Sequence, residues 1–550
     1  MFENRSHTLA FAGIVAAGLA LRAWGISFGL PLESNLYIRP DESLLVHSAV
    51  RLFENHGHPG LFVYPAFLIE ICALVFAAVL WPFRVASHWR MTEHFGHDPS
   101  MYFLAARWIS VVAGTATIGV VWHIGERLGG RRAAWSSALL FACAPLSIRD
   151  AHFAVTDTLL TLLVALAGAE ALRTCDHDTP SLRLGLWSGL SLATKYTSLV
   201  FAPVLAWSAR RRPVAIAVVA LAAYAVTNPH ALFFPKQSGG SVYEVLNVFY
   251  VNHAGARPWT VVGAFEQVWN PLRHGPGGIP GLALATGALL WGLWGRRGTL
   301  WVRLLLAAAI PLCLAGALLP FRHWVPYRYL LPAFPWLAAL AGVALSRSAR
   351  PAWIVATVTV ALALPGAWTA ARLDALLSRE DTRTLAGRWL AQHVPTATPV
   401  VYTGGAECEP QLRESAASIE RRIEFVSRLY GKRAGELIAG PYRLMLRAAG
   451  PGGAEVFRNP SPAEIPAPEF FVVIPRYPIS MCASTEAWRT PGDQVDEVYG
   501  IAARRDPSVA IELDNVDAFF LPFHPPDAVE RPGPDFTVYR VRRATGKPAP

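Results

Sequence analysis

Charge is scarce in this chain of 550 residues, and lysine is scarcer still. Asp, Glu, Lys and Arg together make up 16% of the residues against 53% that are hydrophobic. That balance is too apolar for a soluble enzyme of several domains. Only four lysines stand beside forty-five arginines. The six cysteines contain no CxxC pair, so neither a zinc ribbon nor a thioredoxin-like redox motif is supported. There is no internal repeat. There is also no basic stripe with interleaved aromatics, and the net charge of +10 therefore does not point to nucleic acid. The first apolar run, Thr8 to about Leu30, lacks the small-residue cleavage pattern of a secretory signal and should persist as a helix.

What is present is a succession of apolar runs near the roughly 20 residues that a span needs. The clear candidates are 8–30, 102–125, 133–148, 153–172, 213–231, 277–295, 302–320, 326–345 and 351–372. Short arginine clusters separate them: Arg127-Arg131-Arg132, Arg173-Arg183, Arg210-Arg211-Arg212, Arg296-Arg297-Arg303 and Arg347-Arg350. The positive-inside rule holds such linkers in the cytoplasm. Parity of the spans then makes 61–83 interfacial or re-entrant, and 184–209 a hairpin with Lys195 near its tip. A single long helix over 184–209 is the competing reading. With the hairpin, the N-terminus is cytoplasmic, and 31–101, 149–152, 232–276 and 321–326 face the other side of an inner (plasma) membrane.

The hydrophobic periodicity ends after about Leu373. The sequence expectation is therefore a transmembrane domain over 1–372 and an extracytoplasmic α/β domain over 373–550. A helix over Thr384–Ala391 and strands at Pro399–Tyr402, Phe470–Ile474 and Phe536–Val541 are expected there, with Gly450-Pro451-Gly452-Gly453 and Pro460-Ser461-Pro462 as loops. Cys408 and Cys482 fall in this part. They form either a disulfide, in an oxidising compartment, or two buried thiols.

Four groups of residues can carry chemistry. Arg39-Pro40-Asp41-Glu42 follows the first span and opens an amphipathic stretch in which Leu45, Ala49, Leu52 and Phe53 recur at helical spacing. Such a helix would lie along the membrane surface. The bland reading makes Asp41 the N-cap and Glu42 a first-turn acid. Asp157 stands at the outer start of an apolar span, where a carboxylate is costly unless employed, with Asp150 and His152 close in sequence; helix-dipole compensation is its plainer explanation. Lys195, with Tyr196 beside it, is the one lysine inside an apolar segment, and either meets an anion or snorkels to the interface. Arg322, His323, Arg328 and Tyr329 lead into a span on the outer face, where guanidinium groups bind phosphate bidentately or touch lipid headgroups. His253 and Arg257 in the 232–276 loop are weaker candidates. Acids and cations on one face suit transfer of a sugar from a phosphate-linked donor, with a carboxylate as general base and the cations on the leaving phosphate.

These segments, in this order, resemble the multi-spanning GT-C glycosyltransferases, specifically the bacterial relatives of protein O-mannosyltransferases and lipid A aminoarabinose transferases. The resemblance rests on Pro40-Asp41-Glu42, on His58-Pro59 with Tyr64-Pro65, on Ala106-Arg107 through Gly125-Glu126-Arg127-Leu128-Gly129-Gly130, on Thr156-Asp157, on Gly185 through Tyr196, and on Arg328-Tyr329-Leu330-Leu331-Pro332 with Pro335. It covers roughly 330 residues, counted from these motif positions. It implies a multi-pass α-helical membrane protein of GT-C fold with a soluble C-terminal α/β domain. It implies a polyprenyl-phosphate sugar as donor, inversion at the anomeric carbon, and a protein, lipid or glycan acceptor. By resemblance Asp41 is the base, Glu42 supports it, Asp157 orients the acceptor or a metal, and Lys195 with Arg328 binds the donor phosphate. One branch of the superfamily works without a metal; another uses a divalent cation such as Mg or Mn, for which Asp41 and Asp157 would be the ligands. His58 stands where the donor-side contact is expected. The alternatives from other classes are a transporter or flippase of lipid-linked sugars, which would more often show symmetric half-domains, and a ligase or polymerase using a diphosphate donor.

Overall fold

A computed structural model describes residues 2–543 except 34, 37–38, 56, 88–89, 178–180, 240–257, 296–297, 322–324, 348–349, 480–481, 485–486 and 515–519. The chain forms two compact units. One comprises Met1–Trp24, Phe62–Cys72 and Ala106–Asp374; the other comprises Gly25–Leu61, Ala73–Ala105 and Ala375–Pro550.

The first unit is helical, as its unbroken apolar runs require. Among the described residues, three helical segments (100–142, 327–346 and 352–393) are long and apolar enough to cross a membrane, and shorter apolar helices accompany them. Side chains such as Val214, Val218 and Leu221 on helix Pro213–Val226 stay exposed, which suits contact with lipid. The run expected at 8–30 is a helix only over Phe2–Ala23, because Gly25 and Gly29 adopt φ of 88° and 68° and turn the chain. Helical structure runs from Ser100 to Ala142, but Gly130 (φ 74°, ψ −170°) interrupts it between the two expected spans. The 61–83 stretch contributes a 21-residue helix, Phe67–Ser87. A single helix over 184–209 is excluded. Leu182–Thr194 ends at Lys195, whose backbone is extended (φ −157°, ψ 130°), and a 3-10 turn, Tyr196–Phe201, leads into Ala202–Ala209.

The second unit is built on a five-stranded sheet: β1 Val400–Tyr402, β2 Val456–Arg458, β3 Glu469–Arg476, β4 Gln494–Ile501 and β5 Asp535–Arg542, in the order β2-β1-β3-β5-β4. The first three are parallel, whereas β5 pairs antiparallel with both β3 and β4. Alternation along the strands sends Val400, Tyr402, Val473 and Val538 to one core with Ala386 and Leu390 of helix Thr382–His393. Val401, Phe470, Val472 and Val541 form the other core with Trp488. Three expected strands and the expected helix are therefore present, joined by β2, β4 and the 33-residue helix Ala416–Ala448. Cys408 and Cys482 are bonded to each other.

Helix Pro40–Arg51 belongs to this unit and corrects one sequence expectation. Asp41 is not the N-cap. Arg39 holds that place without a side-chain cap bond, and Pro40 takes the first turn, where a missing N–H costs nothing. Leu45 and Ala49 are buried rather than laid open, whereas Phe53 beyond the helix is exposed. His47 is buried too, and that burial, with Arg51 nearby, pushes its imidazole down to about 3. The neutral ring lies against helix Ala416–Ala448 so closely that a Cβ on Gly440 would come within 2.4 Å of it. Gly440→Ala is accordingly expected to lower stability by about 1–3 kcal/mol through overpacking, read as a lower melting temperature of the detergent-solubilised protein. Arg447 and Glu54 add an ion pair of 2.6 Å.

Candidate active site

Three ionisable side chains meet inside the first unit. Thr156–His177 begins a helix, which places Asp157 in its first turn. Its Oδ1 accepts a 2.7 Å bond from Lys195 Nζ, and its Oδ2 lies 3.1 Å from Arg328 Nε. All three are almost fully buried. Lys195 reaches this place because its own helix stops there. That helix is held tightly against Pro213–Val226 through Gly185 and Gly189, where a Cβ would come within 2.5 Å of Ile216 O and 2.2 Å of Ala220 O. Arg328 and Tyr329 come from a buried 3-10 turn, Tyr327–Ala333. The Tyr329 ring lies under Lys195 Nζ at 4.0 Å, a cation–π contact. One carboxylate against two cations leaves the cluster with one net positive charge. Beside it opens a pocket that Asp157 and Tyr329 share with apolar Leu160, Phe201, Leu314 and Phe321.

Tyr196 turns its hydroxyl to Tyr224 and Asn228. Asp41 is half-buried and Glu42 fully buried in the second unit, which also contains His58. Arg322, His253 and Arg257 lie outside the described residues. Asp157 does not suit a divalent cation, because two cationic side chains already face its oxygens. Among the described residues no group of three or more His, Cys, Asp or Glu is placed to hold a metal ion.

Residues 100–233 match the sequence family described as dolichyl-phosphate-mannose-protein mannosyltransferase. No curated protein matches the chain. Solved structures similar to it include the ArnT of Cupriavidus metallidurans bound to undecaprenyl phosphate, at 16% identity and a TM-score of 0.45 over 80% of this chain and 76% of that one. The archaeal oligosaccharyltransferase AglB from Archaeoglobus fulgidus, in complex with an inhibitory peptide and a dolichol-phosphate, is similar at 13% identity and a TM-score of 0.47 over 74% and 63%.

The chain carries a second buried polar cluster, around His152. The ring bonds Ile148 O through Nδ1 (2.9 Å) and Trp24 O through Nε2 (2.8 Å), and Nε2 is 3.5 Å from Asp374 Oδ1. Arg22 donates to Gly18 O, Ala142 O and Ser147 Oγ nearby, and Arg149 pairs with Asp150 at 2.9 Å. His152 thereby ties the chain just before Asp157 to the end of the first helix. Sequence reasoning missed Arg22 and Asp374; the available signal was a charge near the end of an apolar run.

Proposed function

We propose that this protein is a glycosyltransferase that moves a sugar from a polyprenyl-phosphate donor to an acceptor outside the cytoplasm, with inversion. The observation that carries the reading is the Asp157–Lys195–Arg328 cluster beside an apolar pocket. A sugar phosphodiester bears one negative charge and an isoprenoid tail. The cluster offers one net positive charge, and the pocket offers apolar walls for the first isoprene unit. In the reaction the acceptor oxygen or nitrogen attacks the anomeric carbon, its proton passes to the Asp41 carboxylate, and the bond from that carbon to the phosphate oxygen breaks. Lys195 and Arg328 stabilise the departing polyprenyl phosphate. Asp157 holds the two cations in place, Tyr329 backs Lys195, and Glu42 supports Asp41. Tyr196 and, from the sequence, Arg322, His58, His152, His253 and Arg257 are further candidates for contact with donor or acceptor.

On this reading 1–372 supplies the membrane domain, with a cytoplasmic N-terminus in the inner membrane, and 373–550 lies outside. The Cys408–Cys482 bond supports that orientation, because disulfides persist in oxidising compartments. The decisive assay supplies membranes containing the protein with radiolabelled polyprenyl-monophosphate sugars and extracts protein, lipid and glycan fractions. Label should pass from donor to one of these fractions. Translocation of the donor without transfer, or transfer from diphosphate donors alone, would overturn the reading. In the same assay Lys195→Met should lower kcat/KM about a hundredfold, the scale of one lost charge-stabilising donor.

A further inference from the structure

The segment leading to Asp41 is held by a side chain from the far end of the sequence. Gln411 donates through Nε2 to Asn35 O (2.8 Å), and its Oε1 accepts from the amides of Glu33 (2.8 Å) and Asn35 (3.4 Å). Asn35 returns a bond from Nδ2 to Glu409 O (2.7 Å). Both side chains are buried. One primary amide thus serves the backbone as a neighbouring strand would, taking donor and acceptor together. Four residues after Asn35 comes Arg39, the N-cap of the helix that bears Asp41.

Gln411 is itself firmly placed. Its backbone N–H donates to Arg383 O (2.9 Å). Arg383 is clamped on Asp381 through Nε and Nη2, and gives Nη1 to Glu407 O at 2.8 Å. A Cβ on Gly387 would lie 1.6 Å from Gln411 O, so helix Thr382–His393 presses directly on this strip. The Cys408–Cys482 bond anchors the same strip three residues before Gln411.

We propose that Gln411 is a positioning residue for sugar transfer: by bonding the Glu33–Asn35 main chain it fixes where helix Pro40–Arg51, and with it Asp41, stands during the reaction. This rests on the reading of Asp41 as the base. The C-terminal unit then acts on the chemistry itself, besides whatever it does for the acceptor. Misplacement of a catalytic group by about 1 Å costs up to about a hundredfold in rate.

The test compares the full-length wild type with Gln411→Ala and with Gln411→Glu. The glutamate keeps the acceptor for the Glu33 and Asn35 amides and loses the donor to Asn35 O. Amide hydrogen exchange of peptides covering 31–45, transfer kinetics with a polyprenyl-phosphate sugar, and melting temperature are measured together. For Gln411→Ala, exchange in 31–45 should quicken at least tenfold and kcat should fall about ten- to a hundredfold, with donor KM within twofold of wild type. Gln411→Glu should fall between the two in exchange and in kcat, and quickening confined to 31–45 while peptides elsewhere exchange as in wild type separates positioning from misfolding. Unchanged exchange in 31–45 would overturn the latch. Faster exchange with an unchanged kcat would reduce Gln411 to a structural contact and overturn its role in transfer. If Asp41→Asn remains fully active while Gln411→Ala still quickens exchange, the base assignment fails and the latch stands.

Discussion

Asp41→Asn is expected to lower transfer by about 10²- to 10⁴-fold, the span attributed to general-base catalysis, while leaving the fold intact. The substitution keeps the size of the side chain, removes its charge and turns one acceptor oxygen into an NH₂ donor. Asp41 is not the cap of its helix: Arg39 occupies that position, and Asp41 follows Pro40 in the first turn. A first-turn carboxylate contributes about 0.3–1 kcal/mol through the helix dipole, too little to unfold the unit. Glu42→Gln is the informative contrast, since Glu42 is fully buried and its loss should appear in the melting temperature. Assayed with radiolabelled donor, an Asp41→Asn protein that melts normally and still transfers at the wild-type rate would return Asp41 to the status of a helix-start acid.

The second large effect is on stability. Arg422 and Arg458 share two buried carboxylates. Arg422 lies 3.0 Å from Glu414 and also pairs with Glu409, and Arg458 reaches both acids at 2.6 Å. Ser418 donates a further 2.6 Å bond to Glu414. Burial alone would raise the Glu414 carboxyl, but Arg422 and Arg458 outweigh it and hold it at about 2. Arg422→Leu leaves these acids short of a partner in a buried setting, and breaking such a pair costs about 3–5 kcal/mol. The expected readout is a melting temperature lower by on the order of 10 °C. The pH dependence follows from the direction of the shift. A depressed carboxylate contributes stability that is present above its unfolded value of about 4.3 and is lost as pH falls through about 2. The gap between wild type and Arg422→Leu should therefore narrow on acidification across that window. A gap that stays constant would mean that the loss comes from packing alone.

Much of this architecture was legible in the residues, and the exceptions have physical causes. Lys195 interrupts an apolar stretch, and the helix does stop there. Gly129-Gly130 sits between two apolar runs, and the backbone breaks at Gly130. The strands β1, β3 and β5 are apolar enough to stand out, whereas β4 carries Asp496 and Glu497 and is largely exposed, so its pattern reads as surface. Helix Ala416–Ala448 was hidden by Gly431, Gly435, Gly440 and Pro441, which punctuate its sequence as a loop would. The bond between Cys408 and Cys482 spans 74 residues, and spacing does not choose between a bond and two thiols. For the site, Asp157, Lys195 and Arg328 were each visible as charges in apolar surroundings. Their mutual pairing was not, because it is made by three separate turns of chain. The Arg22–Asp374 neighbourhood was missed for the same reason.

The bond between Gln411 and Asn35 joins residues 376 positions apart. A ribosome adding about 5–20 residues per second makes the segment before Asp41 roughly 20–75 seconds before the residue that fastens it. During that interval, helix Pro40–Arg51 has left the ribosome without the chain that will bury its flank, and the loop closes only once residue 411 has been made. The nascent protein therefore holds its proposed base unassembled until about three-quarters of the 550 residues are made, and a chain truncated before 411 never receives the fastening.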